Sequence, residues 1–122
     1  SDLAAGSTLT DDTIDYTLAD WGVGAKPDAS TFLFNGCIAE FYFAPGQFMD
    51  FSSASNRRKF ISGEGKPVFL GNDGSTPTGT IPQLMLHLAN GEAVANFATN
   101  RAAGGNFSIT GTLTTGSTSP SD

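Results

Sequence analysis

Cysteine is almost missing from this chain: Cys37 stands alone among 122 residues. No intrachain disulfide can form, and no cysteine-based metal cluster either. Basic residues are scarce, six against twelve acidic ones, for a formal charge of −6. That balance argues against a nucleic-acid groove as the main function, because phosphate binding needs clustered Lys and Arg. Charged residues of both signs make up 15% of the chain, well below the usual quarter. No apolar run approaches the ~20 residues that a membrane-spanning helix requires. There is one Trp and one His. Neither a signal-peptide pattern nor an initiator Met stands at the start. The expectation is a processed chain or one that starts partway through a longer product.

What is present points to sheet. Phe is the commonest large apolar residue, with ten copies, and Gly, with fifteen, is commoner still. Ser, Thr, Asn and Gly fill the surface in place of charge. Extracellular and virion β-proteins often share that composition, since uncharged polar residues solvate loops without promoting helix, and a cytosolic domain of unusual composition is the open alternative. The length suits one domain or part of one, and such a chain can bury roughly two-thirds of its unfolded surface. The charges are segregated. Asp2, Asp11, Asp12, Asp15 and Asp20 lie early, and Arg57, Arg58 and Lys59 are consecutive.

Residues 1–11 read as a flexible arm or linker, 12–113 as a β-sandwich domain and 114–122 as a mobile tail rich in Ser, Thr and Gly. Over residues 14–23, Ile14, Tyr16 and Leu18 alternate with Asp15, Thr17 and Ala19, which predicts a half-buried strand. Gly22, Gly24 and Lys26-Pro27-Asp28 predict a turn. Residues 32–43 predict one or two strands. The nearly continuous apolar run Cys37-Ile38-Ala39-Glu40-Phe41-Tyr42-Phe43 predicts a strand covered on both faces, ended by Ala44-Pro45-Gly46. Ser52 is the expected N-cap of a short helix over 53–60, whose basic end opposes the negative pole of the helix dipole. A short strand is expected at 68–70 and a loop at 71–80. Residues 83–88 alternate Leu84, Leu86 and Leu88 against Met85 and His87. The Asn90-Gly91 turn predicts a hairpin with 94–97 as the partner. Phe107, Ile109 and Gly111 alternate in a last strand running to Leu113.

Three pieces of the chain resemble a known family. Tyr16-Thr17-Leu18-Ala19-Asp20-Trp21-Gly22-Val23-Gly24-Ala25 precedes Phe34-Asn35-Gly36-Cys37-Ile38-Ala39-Glu40, a strand ending in a glycine turn followed by F-x-G-x-I-x-E. Gly46-Gln47-Phe48-Met49-Asp50-Phe51-Ser52 leads to Asn56-Arg57-Arg58-Lys59-Phe60-Ile61. Gly65-Lys66-Pro67, Leu70-Gly71-Asn72-Asp73-Gly74-Ser75 and Pro77-Thr78-Gly79 follow. From about residue 14 onward the chain resembles the concanavalin A-like, laminin G-type jelly roll found at the C-termini of bacteriophage and prophage structural proteins. The resemblance implies an all-β fold, a lectin-like jelly roll or β-sandwich with one short α-helix near 53–60. A complete jelly roll has more strands than this chain, the missing ones preceding Tyr16. Three explanations stay open: a C-terminal portion of a longer protein, neighbouring chains that complete the sheet, or a smaller β-sandwich with only local likeness. The resemblance implies no catalytic residues.

Arg57, Arg58 and Lys59, with the acidic residues Asp11, Asp12, Asp15 and Asp20, are the expected partner contacts. The competing reading is a solvated helix end. Trp21 and Tyr42, with Asn72 and Asp73, are the candidates for a glycan site, against core packing for the aromatics. Asp73 offers a calcium site one carboxylate only, so a turn is the favoured role. Cys37 is expected to pack as a small hydrophobe and His87 to lie on the outer face of its strand. Glu40 and Asp50 are the best carboxylate pair for a tailspike glycosidase, the weakest reading. The expectation is a non-enzymatic bacteriophage virion protein, a capsid decoration or a tail or fibre component, located in the virion. Its partners would be other virion proteins, as a homo-oligomer or with neighbouring chains completing the sheet. It would use no cofactor, no metal and no nucleic acid, and have no membrane span. The alternative is a carbohydrate-binding module for a cell-surface receptor glycan.

Overall fold

The computed structural model describes residues 21–24 and 33–118. The arm at 1–11, the Asp-rich segment to Asp20, most of the strand expected at 14–23, the Lys26-Pro27-Asp28 turn and the last four residues lie outside the described residues. The chain divides into two units, Ser1–Phe34 and Asn35–Asp122. In the first, the Phe34 N–H donates to the Gly24 carbonyl at 2.7 Å. Gly24 has a φ of 74°, a left-handed conformation that glycine adopts without a Cβ penalty.

The second unit contains strand β1, Glu40–Phe43, helix α1, Ala54–Arg57, strand β2, Leu84–His87, and a 3₁₀ helix, Val94–Ala98. β1 and β2 pair antiparallel, with Glu40 opposite His87, Phe41 opposite Leu86, Tyr42 opposite Met85 and Phe43 opposite Leu84. Aromatic and branched residues favour such a pleated surface. The described part of the chain is thus mostly non-helical, with one two-stranded antiparallel sheet, one short α-helix and long irregular segments.

The core sits on β2. Leu70, Met85 and Leu86 are its buried apolar side chains, and Pro82 is buried beside them. The 71–80 loop folds onto this strand and two glycines permit it. Gly71, at φ +94°, would place a Cβ 2.6 Å from Thr76 Oγ1, and Gly74, at φ +78°, would place one 2.8 Å from Pro82 Cγ. No side chain fits at either distance. The loop is held by the Thr76 N–H on the Leu70 carbonyl at 3.1 Å and the Gly79 N–H on the Ser75 carbonyl at 2.7 Å.

The far edge of β2 is covered by backbone that is not a strand. Arg101 N–H donates to the Met85 carbonyl at 2.9 Å, Ala103 N–H to Pro82 at 3.2 Å and Gly104 N–H to Gln83 at 2.9 Å. Asn100 completes the edge. Its Oδ1 accepts the Met85 N–H at 2.9 Å and its Nδ2 donates to the Gln83 carbonyl at 3.1 Å. With Met85 bonded outward in this way, antiparallel alternation turns the backbone groups of its partner Tyr42 toward the opposite edge of β1.

Several expectations are corrected here. The partner of β2 is β1, not 94–97, because Val94–Ala98 winds into a 3₁₀ helix and the 100–104 backbone takes the far edge of β2. The Asn90-Gly91 turn does form, but Glu92 closes it by accepting the Ala89 N–H at 2.8 Å. The helix at 53–60 shrinks to Ala54–Arg57 with Ser53 at the N-cap, and turns replace its second half. No strand forms at 68–70, and the pairing just before it is an isolated bridge between Ile61 and Pro67. Residues 107–113 form no strand. Cys37 is exposed, ahead of β1 rather than in it. His87 is buried, not on an outer face, because β2 is covered on both sides.

Candidate functional site

Residues 48–67 form the best-defined surface feature. Phe48 is 92% exposed. The Asp50 carboxylate accepts the Ser52 N–H at 2.8 Å. Hydrogen bonding to Ser52 holds its carboxyl below the ordinary value of 3.8. From α1, Asn56 Nδ2 donates to the Asp50 carbonyl at 2.9 Å. Arg57 Nη1 donates to the Phe51 and Ser52 carbonyls at 2.6 and 2.7 Å. The helix therefore ties down the loop that leads into it, and the Arg57 guanidinium is committed to that task.

Past the helix, Arg58 Nη1 donates to the Ser62 carbonyl at 2.5 Å. Ser62 N–H donates to the Lys66 carbonyl at 2.8 Å, across the Ile61–Pro67 bridge. Ser62 Oγ accepts the Glu64 and Lys66 N–H groups at 3.3 and 3.2 Å. This tight turn brings the Lys66 backbone beside Ser62, whose carbonyl Arg58 holds. Arg58, Lys59 and Lys66 are all exposed. Sequence reading identified the first two and missed Lys66, because the turn that returns it depends on Ser62.

Beside this turn lies an aromatic cluster. Tyr42 meets Phe60 edge to face at 5.6 Å, and Phe51 meets Phe60 at 5.5 Å. With Ala44, Gln47, Met49 and Thr78 they line a half-open cavity of about 340 Å³. The polar side chains of its wall are engaged with each other. Thr78 Oγ1 donates to Gln47 Oε1 at 2.7 Å, and Gln47 Nε2 donates to the Ile81 carbonyl at 3.1 Å. Tyr42 Oη is buried and has no partner among the described residues. A buried polar group in that state costs free energy unless something pairs with it.

The other expected site residues are scattered. Trp21 is 43% exposed and belongs to the first unit. Asn72 is exposed. Asp73 Oδ1 accepts both the N–H and the hydroxyl of Ser75, at 3.0 and 2.7 Å. Those bonds lower its pKa from the ordinary 3.8 and make it a turn residue. Glu40 stands opposite His87 in the sheet, while the Asp50 carboxylate serves its own turn. Asp11, Asp12, Asp15 and Asp20 lie outside the described residues. His87 stacks edge to face on Phe69 at 6.4 Å, with Nε2 buried and unpartnered among the described residues. Glu92 and Arg101 form an ion pair at 2.5 Å.

Among the described residues no group of three or more His, Cys, Asp or Glu is placed to hold a metal ion. No helix among them is long and apolar enough to cross a membrane. Comparison with protein-family models, with curated proteins and with solved structures finds no match for this chain.

Proposed function

We propose that this chain is a non-enzymatic structural protein of a bacteriophage virion, a capsid decoration or a tail or fibre component, acting through subunit contacts. In this reading its lectin-like jelly roll is completed by strands from outside the β1–β2 sheet. One observation carries it: among the described residues the sheet has two strands, and none of those residues pairs with the Tyr42 backbone on the outer edge of β1. Open edges accept added strands. Large apolar side chains on the same unit support the reading, since Phe48, Phe51, Ile61, Phe69 and Ile81 are exposed. Exposed large apolar side chains are the kind of surface that partner chains cover.

A carbohydrate-binding module is the second reading, on the strength of the aromatic cavity at Tyr42. It is weaker, because a sugar ring brings many hydroxyls and Tyr42 Oη is the uncommitted polar side-chain atom at the cavity. The deciding experiment is the solution mass and thermal unfolding of the isolated chain. The assembly reading expects an oligomer, or a chain that unfolds cooperatively only with its partners. A stable monomer with a cooperative transition overturns it.

A further inference from the structure

Just past β2 the chain turns at Ala89-Asn90-Gly91-Glu92, and the end residues of that turn close it twice. The Glu92 N–H donates to the Ala89 carbonyl at 3.1 Å, and the Ala89 N–H donates to Glu92 Oε2 at 2.8 Å. The same Oε2 takes Arg101 Nη2 at 2.5 Å. Arg101 is itself held to β2, its N–H on the Met85 carbonyl at 2.9 Å. Between the closing residues, Asn90 and Gly91 are exposed. Among the described residues nothing hydrogen-bonds the Asn90 side-chain amide or the Gly91 N–H. Gly91 sits at φ +83°, with open space where a Cβ would stand. A side-chain amide carbon and the next backbone nitrogen are therefore both in water and uncommitted, and glycine has no side chain to shield that nitrogen. The chain has one other Asn-Gly pair, Asn35-Gly36. It too is exposed, but no hydrogen bond among the described residues closes a turn across it.

We propose that Asn90-Gly91 is a self-modification site, deamidating in water, and that Glu92 with its Arg101 partner is the clamp that sets its rate. The Gly91 backbone nitrogen gives its proton to solvent base and attacks Asn90 Cγ. A C–N bond forms, the Cγ–Nδ2 bond breaks, and ammonia leaves with a proton from solvent. The five-membered succinimide takes up one water at either carbonyl and opens to Asp or to isoaspartate at position 90. Nothing is oxidised or reduced, and water is the co-reactant. The attack needs a rotation between Asn90 Cα and its carbonyl carbon, which the closed turn resists. The reaction therefore runs from the locally opened turn, and each bond that closes the turn slows it. Either product acts back on the clamp. Asp sets a new carboxylate two residues from Glu92. Isoaspartate lengthens the backbone by one carbon, draws Ala89 and Glu92 out of register and releases Arg101.

The test incubates the full chain at physiological temperature and mildly alkaline pH and follows it by peptide mapping. Mass spectrometry reads the gain as NH2 becomes OH, and chromatography separates the Asp and isoaspartate peptides. Asn35 and Asn90 are followed in the same digest, so Asn35 is the internal reference. Both are expected to convert, Asn90 more slowly. Glu92→Ala removes the acceptor of the Ala89 N–H together with the partner of Arg101. It is expected to speed conversion at Asn90 about five-fold, the worth of one net hydrogen bond, and to leave the rate at Asn35 unchanged. Glu92→Gln keeps an acceptor for the Ala89 N–H and should give a smaller rise. A thermal melt of each variant checks that it is folded. An unchanged rate at Asn90 in Glu92→Ala, or rates that rise equally at both positions, overturns the clamp. No conversion at Asn90 in either the wild type or Glu92→Ala, over a period in which a free peptide of residues 86–95 converts fully, overturns the site.

Discussion

Asn100 holds more of the second unit together than any charged residue does. Its side chain satisfies a buried N–H of β2 and a carbonyl of Gln83, and its own N–H donates to Asn106 Oδ1 at 3.0 Å. Asn100→Ala leaves the buried Met85 N–H unpaired and removes one of two donors to the Gln83 carbonyl, and is expected to cost roughly 1–3 kcal/mol in a denaturant titration. An unchanged midpoint would show that the edge of β2 is held by backbone alone. Gly74 is constrained by space as well as by φ, and Gly79, at φ +79°, has open space around its Cβ position. Gly79→Ala should therefore cost only the left-handed backbone penalty, roughly 1–2 kcal/mol. Gly74→Ala should cost clearly more, read as the larger loss of thermal stability. Glu92 supplies the pH dependence. The hydrogen bond from Arg101, then that from the Ala89 N–H, holds its carboxyl below the ordinary 4.5. A folded value below the unfolded one means the stabilisation is present above pH 4.5 and is lost as pH falls through the folded value. The melting temperature of the wild type should drop on acidification below pH 4.5, and that of Glu92→Gln should drop less over the same range. Parallel curves would remove Glu92 from the account.

At the scale of elements, α1 is one turn long, too short to be stable by propensity. It persists because Asn56 and Arg57 reach back to the carbonyls of Asp50, Phe51 and Ser52. Arg57→Ala should cost about 1 kcal/mol and should speed limited proteolysis within residues 48–57. Unaltered cleavage would mean that the aromatic cluster, not the guanidinium, orders the loop. The consecutive cations at 57–59 were legible in the sequence as a helix end, yet they divide by role. Arg57 faces the protein, Arg58 anchors a turn and Lys59 stays outward, a partition set by which carbonyls happen to lie within reach. The β2 strand was legible from the apolar residues around Met85. Its partner was not, because Asn90-Gly91 signals a hairpin locally, and the competing edge contact from Asn100 to Gly104 is long-range.

At the scale of the molecule, the described residues of the second unit include few wholly buried large side chains, Met85 and Leu86 chief among them, while Phe48, Phe51 and Phe69 are exposed. A core that small gives limited stability on its own. Completion by other chains is the physical remedy the assembly reading supplies. In that reading the edge of β1 at Glu40 and Tyr42, where no described residue pairs with the backbone, is protected in the assembled state. Amide exchange at Glu40 and Tyr42 is expected to slow markedly on association, whereas exchange at Met85, already bonded to Asn100, should change little. Equal exchange at Tyr42 in both states would mean that β1 is not where strands are added.

Composition and local chemistry alone established a largely non-helical chain, with turns at its Gly, Asn and Asp residues, a short helix after Ser52 and a strand around Met85. These follow from propensities acting over a few residues. The tertiary structure decided that His87 is inside, that Cys37 is outside, that Arg58 and the Lys66 backbone meet at Ser62, and that an asparagine side chain stands in for a strand. Each of those depends on which distant backbone covers which face. That is settled by packing and hydrogen-bond satisfaction across the chain, which local spacing does not encode.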